Sequence, residues 1–182
     1  MLATPKPSKK SNSNACVALY DKFYDLIMDG LPEAEAIELA LDCADAVFPI
    51  FAQAEPKKCN PLLSMLLHIK FEKNVKTNLN PFIPAEAEIE NEYDCSYSDE
   101  KKTAASYAAD AGFCIVHLFV HKERATKFST TPDSYVSCCC DSTYFAIQAA
   151  ALSCDDAYLK KLDELLNTYT GKISDIKLKM PC

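Results

Sequence analysis

Glycine is scarce in this sequence, with 3 glycines among 182 residues against a usual share of about 7%. Glycine supplies the positive-φ positions of tight hairpin turns and the open backbone of phosphate-binding loops. Its scarcity therefore argues against an all-β fold and against a glycine-rich nucleotide loop. The 49% apolar content and the chain length fit one globular domain with a sizeable core.

Arginine is nearly absent as well. Arg124 is the only arginine among the 19 basic residues, and the formal net charge is -7. Arginine is the preferred side chain for bidentate contacts with phosphates and bases. An acidic chain with one arginine is a poor candidate for binding nucleic acid and suits a protein partner with a basic surface.

The sequence also lacks a membrane-spanning run and a signal peptide. No apolar run approaches the ~20 residues that cross a bilayer, and "MLATPKPSKKSNSN" has no apolar stretch. Residues 1–14 are expected to form a disordered basic tail, and residues 15–182 a single helical domain. The missing signal favours a cytoplasmic, reducing location in which the ten cysteines are thiols, packed or metal-bound. The alternative is a secreted chain whose signal was removed, with the even number of cysteines forming disulfides.

The spacing of apolar residues predicts an all-α fold, a single compact bundle of five to six helices. The first helix is expected over residues 15–31, with Asn14 as its N-cap. The second begins at Pro32, and Pro49 should kink or end it. The inward face of the first helix is expected to carry Cys16, Tyr20, Phe23, Tyr24, Ile27 and Leu31.

The third helix is predicted to start at Asn60 and Pro61. Its apolar residues nearly encircle it, so it should be a central, buried element. The helical signal then fails over residues 75–99, which predicts a long acidic loop between helices three and four. Helicity resumes over about residues 99–127. The last long helix is expected to begin after Asp141 or Ser142 and to reach Tyr169, with Gly171 as its stop.

One stripe of the fourth helix has the residue types of a zinc site. In "DAGFCIVHLFVHKER", Asp110, Cys114, His117 and His121 follow one another at spacings of four, three and four. Such spacing stacks the side chains on one face of a helix, and zinc accepts sulfur, nitrogen and oxygen ligands of these types. The stripe lacks a C-x2-C or H-E-x-x-H pattern. The alternative is that it is the solvated face of an amphipathic helix.

Three consecutive cysteines, Cys138, Cys139 and Cys140, form the second candidate. Adjacent side chains point in different directions, so the three cannot share one partner. Cys138 and Cys140 could add two ligands to a zinc site with the histidines. A cysteine at the start of the last helix would feel its positive end, which lowers a thiol pKa. The alternative is simple packing, because free cysteine is among the most buried residue types.

An acidic segment, residues 86–100, is the third candidate. "AEAEIENEYD" alternates acidic with other residues, so an extended chain would show one acidic edge able to attract a basic partner. Tyrosines nearby would act as anchors. The alternative is a solvated loop without a specific partner. The predicted partner-binding residues are Glu86, Glu88, Glu90, Glu92, Asp94, Tyr93 and Tyr97.

These observations favour a small, soluble, non-enzymatic helical protein that acts by protein–protein interaction, as an adaptor, an inhibitor or an assembly subunit. No catalytic motif was found, and no cofactor is expected unless the cysteines and histidines bind zinc. One alternative is a zinc- or thiol-dependent protein. The other is a secreted, disulfide-bonded carrier of an apolar ligand. A homo-oligomer is also compatible with the sequence.

Overall fold

The computed structural model describes the backbone of residues 9–29, 31–57, 59–72, 102–128 and 134–179. Side chains are described for residues 14–28, 31–57, 62–67, 69–70, 102–119 and 135–173. These residues form six helices and no strand, which confirms the predicted all-α bundle. The helices are α1 (Lys9–Asp29), α2 (Glu33–Ala54), α3 (Cys59–Glu72), α4 (Ala104–Phe128), α5 (Ser134–Leu152) and α6 (Asp156–Lys179).

The interior is built from α2, α4 and α5, each of which packs against the other two. Fully buried alanines on these helices, such as Ala40, Ala108 and Ala146, let the three backbones approach closely. Ser142 of α5 is buried between them and donates a hydrogen bond to the carbonyl oxygen of Ala111 at 2.7 Å. Around this centre, α1 lies on α5, α3 on α4, and α6 on α2 and α5. None of the helices in the described ranges is long and apolar enough to cross a membrane.

The expectation that α3 is central is wrong. Met65 and Ile69 are buried, but Leu67 is 40% exposed on the other side of the helix. α3 packs mainly against α4 at Gly112, where an added Cβ would stand 3.0 Å from Leu66 Cδ1. Apolar residues around a whole helix therefore did not indicate a central position, because α2, α4 and α5 already fill the interior.

α1 differs from its prediction at both its start and its face. The helix begins at Lys9, ahead of the expected N-cap Asn14. Phe23 and Ile27 are buried as expected, but Tyr24 is 41% exposed and shares its outer surface with Met28. Tyr24 is displaced about 100° around the helix from Phe23, which carries it off the inward face.

α2 continues past Pro49 and ends at Ala54, so proline does not end this helix. The Pro49 ring lies on the exposed side. Phe48 and Phe51 are buried on the inward side, with ring centroids 5.8 Å apart in a T-shaped arrangement. Burial of two aromatic side chains stabilises the last turn by more than the missing backbone hydrogen bond costs.

α4 begins at Ala104, later than the predicted start near residue 99. Thr103 caps it reciprocally with Ser106: the Thr103 N–H donates to Ser106 Oγ at 2.7 Å, and the Ser106 N–H donates to Thr103 Oγ1 at 3.2 Å. This cap fixes where the chain enters the helix and places the preceding residue, Lys102, against the side of α4.

The predicted last helix is two helices. α5 begins at Ser134, so the three consecutive cysteines lie inside it. The chain turns at Cys154, which is exposed and has a φ of 58°. Asp155 then starts α6 by accepting the Ala157 N–H on Oδ1 at 3.0 Å. α6 runs through Gly171, the expected stop, to Lys179.

Candidate functional site

The acidic segment lies outside the described residues. Its proposed contact surface therefore stays a prediction from sequence.

Asp110, the first member of the candidate zinc stripe on α4, is not solvated, because its carboxylate is buried against a cation. Lys102 Nζ is 3.1 Å from Asp110 Oδ2, and the two side chains are only 7% and 4% exposed. The same ammonium lies 4.9 Å from the ring centroid of Phe145 and 5.4 Å from that of Tyr107. Lys102 thus already occupies the carboxylate that was predicted to bind zinc.

Cys114 and His117 are the other members of the stripe whose side chains the structure describes. Cys114 and His117 are half-buried, and the His117 ring packs 5.9 Å from the ring of Phe113. His121 belongs to α4, but its side chain is outside the description. Among the described side chains, no three His, Cys, Asp or Glu residues converge as a metal site. Zinc binding through Cys114, His117 and His121 therefore stays a prediction.

The three consecutive cysteines are packed thiols, and the expectation of a lowered pKa is wrong. Cys139 and Cys140 are buried and Cys138 is half-buried. Burial raises the pKa of Cys138, and it raises the pKa of Cys140 to about 11, with the neighbouring Asp141 carboxylate adding to both shifts. The cysteines start four residues into α5, so the positive helix end is remote and the nearest charge is negative.

A groove between α2, α3 and α4 brings charged and apolar side chains together in a volume of about 300 Å³. We call it the acidic groove. Its lining consists of Ala34, Glu35, Ile37, Glu38, Leu41 and Asp42 from α2, Ile69 and Lys70 from α3, and Phe119 from α4.

Local helix geometry explains this mixture of side chains. Ile37, Leu41 and Ile69 lie at the edge of the core and form an apolar floor, with Phe119 of α4 beside them. On α2 the carboxylates are spaced by three and four residues, which places them along one side of the helix. The groove therefore combines an apolar floor with three carboxylates and one ammonium.

Asp42 is the most strongly organised carboxylate of the acidic groove. Its Oδ2 accepts a hydrogen bond from the Tyr169 hydroxyl of α6 at 3.0 Å. Its Oδ1 stands 4.0 Å from Lys70 Nζ, which is beyond hydrogen-bonding distance. Lys70 instead makes its short contact, 3.0 Å, with Asp45 Oδ2. Two helices thus converge on Asp42, but only α6 holds it by a hydrogen bond.

Tyr169 is held as a permanent donor at this position. The residue is 1% exposed, and burial, followed by the charges of Asp42 and Glu38, raises the pKa of its hydroxyl far above the ordinary value. Lys172 lies over the ring, with Nζ 3.9 Å from the centroid, and reaches Glu38 Oε2 at 3.7 Å. The hydroxyl therefore keeps its proton and fixes the orientation of the Asp42 carboxylate.

A second surface cleft, the α1–α6 cleft, has a volume of about 420 Å³. Of its lining side chains only Leu19 is buried. Its carboxylate, Asp163, is exposed and accepts a hydrogen bond from Asn167 Nδ2 of the same helix at 3.4 Å. Its lining is Ala15, Ala18, Leu19 and Lys22 from α1 with Leu159, Lys160 and Asp163 from α6.

Sequence reasoning did not find the acidic groove. The periodic acids of α2, which include Glu38 and Asp42, are visible in the sequence as the polar side of an amphipathic helix. Tyr169 is 127 residues away from Asp42, and nothing in the local pattern pairs the two. The only available signal was the acidic spacing on α2.

Comparisons with known proteins found no match: no protein-family model, no curated protein and no solved structure matches this chain.

Proposed function

We propose that the protein is a non-enzymatic binding protein whose acidic groove takes up a segment of another protein. One observation carries the proposal: an apolar floor at the surface lies next to Asp42, whose carboxylate accepts the Tyr169 hydroxyl of α6, and next to Glu38, which lies 3.7 Å from Lys172 of the same helix. Grooves of this kind between helices suit a partner segment that inserts apolar side chains. Each fully buried apolar side chain of the partner would contribute about 1.5–3 kcal/mol before the costs of association.

The partner should present a basic surface. Glu35, Glu38 and Asp42 line the groove against the single ammonium of Lys70, and the whole chain carries a net charge of -7. Complementary charge speeds the encounter and favours the correct partner more than it adds affinity. The acidic segment, residues 86–100, would extend the same complementarity. An adaptor, an inhibitor and an assembly subunit all fit this mode of action.

We also propose a cytoplasmic, reducing location. The thiols of Cys16, Cys43 and Cys140 are free and buried in the core, which supports a chain that folds without disulfides.

Photo-crosslinking from the two clefts tests the proposed binding surface. A photoreactive amino acid replaces Glu38 in the acidic groove or, as the matched control, Asp163 in the α1–α6 cleft; both positions are exposed. Crosslinks to a partner are expected from position 38 only, and they should be lost when Leu41→Glu places a charge on the apolar floor. Leu159→Glu in the other cleft should leave them intact. Equal crosslinking from both positions, or crosslinks that survive Leu41→Glu in a folded chain, would contradict the proposal.

A further inference from the structure

We infer that the acidic groove binds a lysine or arginine side chain of the partner at Asp42, and that this cation displaces Lys70 toward Asp45. The inference rests on the proposed function and adds the chemistry of the inserted residue. It follows from the contacts that the two carboxylate oxygens of Asp42 make with the neighbouring polar side chains.

The two oxygens of Asp42 are in different situations. Oδ2 accepts the Tyr169 hydroxyl at 3.0 Å, so this side of the carboxylate is already hydrogen-bonded. Oδ1 faces Lys70 Nζ across 4.0 Å, and this separation is too long for a hydrogen bond. The carboxylate is part-exposed, which makes Oδ1 reachable by a cation that enters the groove.

Lys70 can leave Asp42 at little cost. Its short contact is with Asp45 Oδ2 at 3.0 Å, and its own side chain is well exposed. Ion pairs between exposed side chains are weak, and the contact with Asp45 is kept when Lys70 moves away from Asp42. An incoming ammonium or guanidinium therefore exchanges a long contact at Oδ1 for a short, hydrogen-bonded one.

The rest of the groove matches the shape and charge of a basic side chain. Ile37, Leu41 and Ile69 form a floor on which the aliphatic stem of lysine or arginine would lie. Glu35 adds a further carboxylate to the lining. Glu38 is shared with Lys172 at 3.7 Å, so its charge is partly compensated and Asp42 is the better acceptor.

The polar and charged side chains around Asp42 leave its Oδ1 atom able to accept a hydrogen bond from a ligand. Tyr169 only donates, Lys70 lies at 4.0 Å, and Lys172 is occupied by the Tyr169 ring and by Glu38. A neutral hydroxyl can donate a hydrogen bond to Oδ1, but it adds no attraction between opposite charges, and an anion would be repelled. A cation gains both the charge-assisted hydrogen bond and the attraction between the charges.

Three small probes with a phenyl ring on a four-carbon chain and end groups of different charge test the inference on the full chain. The probes are 4-phenylbutylammonium, 4-phenylbutanol and 4-phenylbutanoate, followed by two-dimensional ¹H–¹⁵N NMR. The ammonium should shift the amides of Leu41, Asp42 and Ile69 and bind about tenfold more tightly than the alcohol, because it adds the attraction of opposite charges to the hydrogen bond that the alcohol can also donate. The anion should bind most weakly.

Variants separate the roles of the charges. Asp42→Asn keeps the shape of the side chain and should make the ammonium and the alcohol bind equally. Lys70→Gln removes the competing cation and should tighten ammonium binding about threefold, the effect expected for a weak exposed pair. Asp163→Asn in the α1–α6 cleft is the control and should change neither affinity. Lys70→Gln keeps the test decisive even if Asp42→Asn fails to fold.

The outcomes distinguish the inference from the proposed function. Equal binding of the ammonium and the alcohol to the wild-type groove would overturn the inference and leave the groove as an apolar docking site. Weaker ammonium binding in Lys70→Gln would also overturn it. If none of the three probes shifts the groove, or if the shifts lie only in the α1–α6 cleft, both the inference and the proposed function fail.

Discussion

Lys102 and Asp110 form an ion pair that is almost completely shielded from solvent. Burial raises the pKa of the Asp110 carboxyl, although the hydrogen bond and charge of Lys102 act in the opposite direction. The attraction of Lys102 therefore does not fully offset the desolvation of the carboxylate. Replacing Lys102 and replacing Asp110 should therefore change the free energy of unfolding by different amounts.

Removing Lys102 should destabilise the folded protein more than neutralising Asp110 does. Lys102→Met leaves a buried carboxylate without its cation and should lower the free energy of unfolding by about 3 kcal/mol. Asp110→Asn removes the charge that burial penalises, while Lys102 keeps its contacts with Phe145 and Tyr107, so it should cost less. Urea denaturation of both variants and of the double variant measures this. A larger loss in Asp110→Asn would contradict the ordering, and the double variant should recover part of the loss in Lys102→Met.

The same pair predicts a pH dependence of stability. The folded pKa of Asp110 lies above the ordinary value of 3.8, so the native state binds this proton more tightly than the unfolded state does. Its stabilising contribution is complete below 3.8 and is lost as the pH rises through the folded pKa. The stability of the wild type relative to Asp110→Asn should therefore fall as the pH rises from about 3.5 to 7. A relative stability that increases with pH would show that Lys102 lowers the pKa by more than burial raises it.

Thiol reactivity should distinguish Cys154 from the packed cysteines. Cys154 is exposed in the turn between α5 and α6, whereas Cys140 is buried with a pKa raised to about 11. At pH 8 roughly one Cys140 thiol in a thousand is ionised, and only the thiolate reacts quickly. Iodoacetamide followed by peptide mass mapping should find Cys154 modified well before Cys139 or Cys140. The Cys154→Ser variant is the control, and rapid modification of Cys140 in that variant would contradict its packing.

At the scale of the helices, the two described helical glycines differ in the space around them. Gly171 of α6 has nothing within 4 Å of the position of an added Cβ, whereas the same position at Gly112 of α4 is 3.0 Å from Leu66 Cδ1. Gly171→Ala should raise the free energy of unfolding by about 0.5–1 kcal/mol, because alanine is the better helix former. Gly112→Ala gains the same helix preference, but Leu66 must move, so it should fall short of Gly171→Ala. Equal effects in thermal denaturation would mean that α3 is not tightly packed on α4.

Helix positions were predictable where the local pattern determines the structure. Glu33–Ala54 and Cys59–Glu72 form α2 and α3 where the apolar periodicity and the helix-start signals predicted helices, although α2 continues past Pro49. The start of α5 was missed because Asp141 and Ser142 resemble an N-cap, yet Ser142 Oγ donates to the Ala111 carbonyl of another helix. The break before α6 was missed because Cys154 adopts a positive φ without glycine.

At the scale of the whole molecule, the contacts that build the acidic groove were beyond sequence reasoning. Asp42 was visible only as one of several acids on α2, and Tyr169 only as the expected end of the last long helix. Their hydrogen bond depends on how α6 packs on α2, which no local spacing encodes. Asp110 was misjudged for the same reason, because its cation comes from the residue just before the cap of α4.

The acidic segment gives a prediction about the intact protein and its partner. Changing the four glutamates within residues 86–92 to glutamine should weaken partner binding and flatten its dependence on salt, with little loss of folding. Titration of partner binding between low and high salt measures both. An unchanged affinity and salt slope would exclude the segment from the contact surface. The control neutralises four exposed carboxylates elsewhere and should have a smaller effect: Asp21→Asn, Asp25→Asn, Asp163→Asn and Glu164→Gln.

The hydrogen bond between Tyr169 and Asp42 also affects when, during synthesis, the acidic groove becomes able to bind the proposed partner. The two residues are 127 positions apart, and a ribosome that adds about 5–20 residues per second needs roughly 6–25 s to pass from one to the other. Throughout that interval Asp42 has been synthesised, while the tyrosine that orients its carboxylate has not. A nascent chain is therefore expected to bind its partner only after α6 has emerged and docked, which delays assembly until the bundle is closed.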